Sequence, residues 1–397
     1  MATNVSTVGS VGRDYANLPL WESDRDGVGL YAEIADCYND SVEDSATTLS
    51  GWSTGVGTYI EIRAADGEGH DGTEGTGYRL VYTGSASLET IYVREDYVRI
   101  RQIEFHTGSS GAAHQFAVKI DTDITATNDI RLNKLLITGE SDSTGRGIDL
   151  DDTDIKAKIW DCIIMRCDNN SVDAAGLLVE NCSAVYAYNN TFNLNKYGIK
   201  VDAGTVYAKN NACFDNVTDD FNGSYHADSD YNVSSDTTAP GENSLISKTS
   251  TDNFVSVGSG TENFNVKDIN ADIYGYGTNL SEDENLQFFD DVIGSDRIQW
   301  DVGAFEFVAG AASKSLVIAK KNYSAHKVGM TFLECVCKVE DVMTDIGDKI
   351  SVDVGNPAVT FDKAIVFKVS RKFGDQNRII IKAFTGGFMY DEDGAWA

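Results

Sequence analysis

The chain has 397 residues, of which 32 are Lys or Arg and 62 are Asp or Glu, for a net charge of −30. That length leaves room for two or more domains and a large core. That charge excludes nucleic-acid binding through a basic surface, since phosphate contact needs clustered Lys and Arg.

Residues 1–53 read as an N-terminal cap. Asp14-Tyr-Ala-Asn-Leu-Pro-Leu-Trp21-Glu has the pattern of a short amphipathic helix start, with Leu18, Leu20 and Trp21 as the plug of a core. Tyr59-Ile-Glu-Ile-Arg63 is the first clear strand. The Gly-rich acidic loop that follows, 64–77, is no phosphate cradle, because no Lys-Ser/Thr ending and no helix follow it.

A short phrase then recurs: Ala117-Val-Lys-Ile-Asp121, Gly147-Ile-Asp-Leu-Asp151, Gly176-Leu-Leu-Val-Glu180 and Gly198-Ile-Lys-Val-Asp202. Each copy is a small residue, an apolar one, a variable one, an aliphatic one and a carboxylate. A weaker copy with Arg in the last slot precedes them, Thr90-Ile-Tyr-Val-Arg94. The copies start 22 to 30 residues apart, and each is followed by a second strand-like run such as Ile130–Ile137 or Val206–Cys213. Their apolar residues alternate with the period of a strand, not of a helix. A strand-built repeat of this length predicts a solenoid whose coils bury their inner faces by stacking. The predicted fold is therefore all-β: a right-handed parallel β-helix over 54–308 and a small C-terminal antiparallel β domain over 309–397.

Stacking sets equivalent residues roughly 4.8 Å apart. Asn190 and Asn211 then share a slot and predict an amide ladder. Asp121, Asp151, Glu180 and Asp202 form a column of like charges, with Lys119 and Lys200 as outward neighbours. Glycosidases use two carboxylates about 5–9.5 Å apart, so these four are the catalytic candidates if the chain is an enzyme. The plain alternative is that they open turns and keep each coil solvated. Asp149, Asp151 and Asp152 are the candidates for a surface calcium site. An EF-hand is excluded, since its loop needs Gly at position six and Glu at twelve, where Trp160 stands.

Seven cysteines include Cys335-Val-Cys337, with no second pair at zinc spacing, and the expectation is buried free thiols. His70, His106, His114, His226 and His326 show no ligand spacing and are expected in loops or on the surface. Tyr186, Tyr188 and Tyr207 offer a sugar-binding face or simple packing.

The last 89 residues carry 12 basic and 11 acidic side chains, so the first 308 carry 20 and 51. That break places a domain boundary in the small-residue linker 308–313. Strands are predicted over 316–318, 349–354, 364–369 and 378–382, making a sandwich or barrel-like assembly domain.

Trp300-Asp-Val-Gly-Ala-Phe-Glu306 resembles the closing phrase of pectate-lyase-like parallel β-helix proteins, and Gly12-Arg-Asp-Tyr with Leu20-Trp-Glu22 resembles their opening. The resemblance covers residues 1–308. It implies the fold, and it leaves lyases, hydrolases and inert spikes open as functions. Met1-Ala-Thr-Asn-Val has no signal-peptide pattern, and no run is long enough to span a membrane. With the acidity and the C-terminal module, the chain resembles tailed-phage virion proteins. The expectation is a structural protein made in the host cytoplasm and displayed on the virion as a capsid decoration or tail spike. The resemblance implies a homotrimer touching other virion proteins and a host surface glycan, with no resident cofactor other than calcium. The alternative is a polysaccharide lyase or glycoside hydrolase of the β-helix type.

Overall fold

A computed structural model describes residues 3–27, 31–82, 89–108, 115–140, 144–168, 171–258 and 260–307, and four strands beyond them. The chain divides into two units, Met1–Phe307 and Val308–Ala397.

The first unit is a parallel β-helix with three walls. The first wall stacks Thr3–Val8, Ala32–Cys37, Ile60–Ala64, Val98–Arg101, Ile130–Asn133, Lys156–Trp160, Cys182–Tyr188 and Gly204–Lys209. The second runs from Arg79–Tyr82 through Glu104–Thr107, Leu136–Gly139, Ile163–Met165, Thr191–Asn193 and Ala212–Phe214 to Val233–Ser234. The third runs from Thr47–Leu49 through Glu89–Val93, Gln115–Asp121, Thr144–Asp151, Ala175–Val179 and Tyr197–Val201 to Asp219–Asn222. Solenoid strands therefore begin inside the segment expected to be only a cap. Isolated bridges Lys209↔Asp230 and Val233↔Leu245 close the far end.

Alternation explains the walls. Ile148 pairs with Leu177, and Leu177 with Ile199, down one internal column, and all three are fully buried. The small slot of the repeated phrase has a steric cause. A Cβ on Gly147, Gly176 or Gly198 would lie 2.4–2.9 Å from the carbonyl oxygen of the next coil or from a core side chain.

From Val98–Arg101 onward, the first two walls meet at a two-residue corner that recurs in successive coils. Its first residue is left-handed at Gln102, Lys134, Asp161, Asn189, Asn210 and Tyr231, with φ of 50–59°. Non-glycine residues tolerate that region at a modest cost, Asn and Asp most readily. The second corner residue points inward. Asn190 Nδ2 donates to Asn211 Oδ1 at 3.0 Å, and Asn211 Nδ2 donates to Asn232 Oδ1 at 3.0 Å. The expected ladder is therefore present and one rung longer. A second ladder joins Asn195 to Asn216 at 3.1 Å.

The helix Leu18–Arg25 plugs the near end, started by Asn17, whose side chain accepts from Leu20 N at 3.0 Å. Leu18 and Trp21 are buried, and Trp21 packs on Trp52 at 5.5 Å between centroids. Leu20, expected in the plug, faces solvent. Two helical steps from Leu18 turn it about 200° away.

The coil does not continue to residue 300. Beyond Ser234 the chain leaves the walls, and residues 250–307 fold back as an arm over the outside of the second wall. Phe254, Phe264, Val266, Ile273, Val302 and Phe305 of the arm pack there on Leu136, Ile163, Met165 and Phe214.

The described residues of the second unit form a four-stranded antiparallel sheet in the order Val317–Lys321, Phe332–Lys338, Arg378–Phe384, Ile365–Arg371. The linker 308–313, the strand expected over 349–354, His114 and His326 lie outside the described residues.

Candidate functional site

The third wall assembles the carboxylate column. Asp121 and Asp151 are register partners. Glu180 and Asp202 each directly follow the paired residues Val179 and Val201. The backbone N–H of Glu180 bonds to Leu150 and that of Asp202 to Val179, so the column continues across four coils.

The slot that varies along the phrase lies beside this column and supplies two of its countercharges, Lys119 and Lys200. Lys119 Nζ lies 2.8 Å from Asp121 and 4.0 Å from Asp149. Lys200 Nζ lies 3.0 Å from Asp202 and 2.8 Å from Asp173. Arg146 Nη1 sits 2.9 Å from Asp149 and 3.2 Å from Glu180. Arg146 was not legible as a member of this site: it lies in the run before the phrase, at a bulge between Thr144 and Arg146. Asp149 was assigned to calcium, yet its side chain is fully buried against Arg146. Alternation was the signal for it, since it shares the outward face with Asp151.

The carboxylates divide by environment. Burial raises Asp121, but the Lys119 and Tyr92 hydrogen bonds outweigh it and hold the group below its usual range. Burial raises Asp149 to about 6 against the pull of Arg146. Burial, then the Asp151 charge, raises Glu180. Asp151 is exposed. Asp152 Oδ1 accepts the backbone N–H of Asp154 at 2.8 Å in a turn. Among the described residues, no three His, Cys, Asp or Glu side chains converge as a metal site.

The tyrosines are packed. Tyr186 stacks on Tyr207 at 4.9 Å, and His226 covers Tyr207 at 4.1 Å, so the ring faces that would stack on a sugar already meet each other. Tyr188 points outward but is fully buried under Leu280, Leu286, Phe288 and Trp300 of the arm.

The phrase 300–306 is an architectural latch. Glu306 accepts the backbone N–H groups of Ile298, Gln299, Trp300 and Asp301 at 2.6–3.2 Å. Asn189 Nδ2 donates to Asp301 O at 2.8 Å and Gly303 O at 3.1 Å. Gly303 has φ +98°, and a Cβ there would come 2.9 Å from Thr191 Oγ1.

Two other expectations meet the structure. Cys37, Cys162, Cys167, Cys182 and Cys213 are free and buried, and burial raises each thiol. His70 lies in a loop but is buried, with Nε2 2.7 Å from Lys134 O, and burial lowers it to about 4. No described helix is long and apolar enough to cross a membrane. No family model matches the chain, and no curated protein matches it.

Proposed function

We propose that this chain is a non-enzymatic structural protein displayed on a particle, as a capsid decoration or tail spike of a phage virion. The observation that supports the non-enzymatic reading is the countercharged column. Lys119, Arg146 and Lys200 engage three of its four members, Asp121, Glu180 and Asp202, as well as Asp149 beside it, while Asp151 is exposed with no ion pair among the described residues. General acid–base work needs one carboxyl free to protonate and another free to accept. Particle display rests on the sequence resemblance, on the acidity of the first 308 residues and on the near-neutral C-terminal unit. In this reading the second unit makes the contact, with copies of itself in a trimer or with other virion proteins, and the coil faces solvent and a host glycan.

Incubation with host capsule or lipopolysaccharide, followed by sizing of the glycan, tests the first half. No depolymerisation is expected. The competing reading, a polysaccharide lyase or hydrolase, draws on one observation: Glu180 is raised, the direction a general acid requires. Depolymerisation abolished by Asp151→Asn or Glu180→Gln establishes that reading instead. Truncation after Phe307 tests the second half. A shortened chain that still oligomerises and joins the particle places the contact in the coil.

A further inference from the structure

The arm covers the second wall only from the middle coils onward. Where its cover stops, the 71–76 loop, the first strands of the wall and residues 260–262 of the arm enclose a pocket of about 490 Å³. That size lies within the usual range for small-molecule sites, roughly 300–1,000 Å³. Its lining is mixed: the hydroxyl-bearing Thr73 and Thr261 share it with Gly75, Gly260, Val81 and Met165.

The charges around it are unevenly satisfied. Glu74 pairs with Arg166 and lies 3.2 Å from His106 Nδ1. Glu262 lies 3.6 Å from Arg166 Nη1, and Glu140 lies 3.4 Å from His106 Nε2. Arg79 stands apart. It lines the pocket, makes no ion pair within 4 Å among the described residues, and its Nε is buried without a hydrogen-bond partner. Its register partner on the wall is Glu104, which is 1% exposed and accepts the Gly75 N–H at 2.9 and 3.0 Å.

We propose that this pocket binds a small polyhydroxylated anion, a sugar residue carrying a carboxylate, sulfate or phosphate, with the charged group on Arg79. Arginine suits that role because its planar donors match such oxyanions. The Thr73 and Thr261 hydroxyls and the acceptor oxygens of Glu262 suit sugar hydroxyls. The site gains an anion most readily when Glu104 is neutral. Burial, then Glu74, raises Glu104 to about 7, with Arg79 opposing. Protonated Glu104 leaves the Arg79 charge uncompensated, so the anion weakens as pH rises through that value. The proposal is independent of the display reading: a sugar acid binds here whether or not the carboxylate column cleaves anything.

The test is calorimetric titration of the full chain with glucuronate, glucose 6-sulfate, glucose 6-phosphate and glucose at pH 6 and pH 8. Binding of one or more of the three anions, glucose being silent, is expected, and for glucuronate and glucose 6-sulfate, whose charge is constant over this range, it is about tenfold tighter at pH 6. The anion that binds identifies the charged group. Arg79→Gln is expected to lose at least about tenfold in affinity, and Glu104→Gln to abolish the pH dependence while keeping binding. Should Arg79→Gln fail to fold, Thr261→Trp fills the mouth and is expected to block binding. Silence of all three anions at millimolar concentration, equal binding of glucose, or undiminished binding by the folded Arg79→Gln or the Thr261→Trp variant overturns the proposal.

Discussion

Arg297 and Asp161 meet at 2.5 Å with neither side chain exposed, although they lie 136 positions apart in the sequence. Arg297 also donates to the carbonyls of Gly303 and Ala304, each at 3.0 Å. Removing one member of a buried pair strands the other, which costs about 3–5 kcal/mol. Arg297→Leu is therefore expected to loosen the arm, read as faster proteolysis within 250–307. Adding Asp161→Leu should recover much of the loss. Equal protease resistance of Arg297→Leu and the parent excludes this account.

Asn211 accepts from Asn190 and donates to both Asn232 and the Ala187 carbonyl. Asn211→Ala leaves several buried groups unpaired, at about 1–3 kcal/mol each before relaxation. A large drop in denaturation midpoint is expected. Asn265→Ala, at an exposed position, is the control and should stay within about 0.5 kcal/mol of the parent.

Asp149 gives a pH dependence. Its folded pKa, about 6, stands above its ordinary value of 3.8. The folded state therefore holds the proton more tightly than the unfolded one, and stability from this group falls as pH rises from about 4 to 6. Arg146→Met removes the main countercharge. It is expected to destabilise the chain more at pH 7.5 than at pH 4.5, where Asp149 is neutral. Denaturant midpoints at the two pH values decide it; a uniform loss points to lost packing instead.

Trp21 is the largest side chain of the N-terminal plug and is fully buried. Trp21→Ala opens a cavity against Trp52 and the first coils, at about 3–5 kcal/mol. Leu20→Ala, one position away on the solvent side, is expected to be nearly silent. Thermal scans of both variants check the assignment.

The coil was legible because its signal is local and periodic. Ile199 and Val201 alternate with Lys200, and the structure buries the first two. Asn190 and Asn211 were legible as a pair for the same reason. The arm was not, because nothing in Phe254, Phe264 or Ile273 names the distant Leu136 and Ile163 on which they pack. The coil was expected to run to residue 308, since an arm on an outer wall also needs scattered apolar residues. The column was legible, but its neutralisation was only half so. Lys119 and Lys200 lie within the phrase, whereas Arg146 reaches Glu180 from 34 residues upstream.

The arm runs along the corners between the first two walls. Asp290 bonds Lys134 at 2.6 Å, Arg297 bonds Asp161, Asp301 and Gly303 bond Asn189, and Thr278 bonds Asn210. Those corners belong to four successive coils. A bare stack of repeats behaves as a nearest-neighbour chain, in which either end frays without the other knowing it. A strap fastened to four links removes that independence, because no strapped link opens without loosening the fastening of the rest. Under tension this stretch should give way in one event instead of a ladder of small ones.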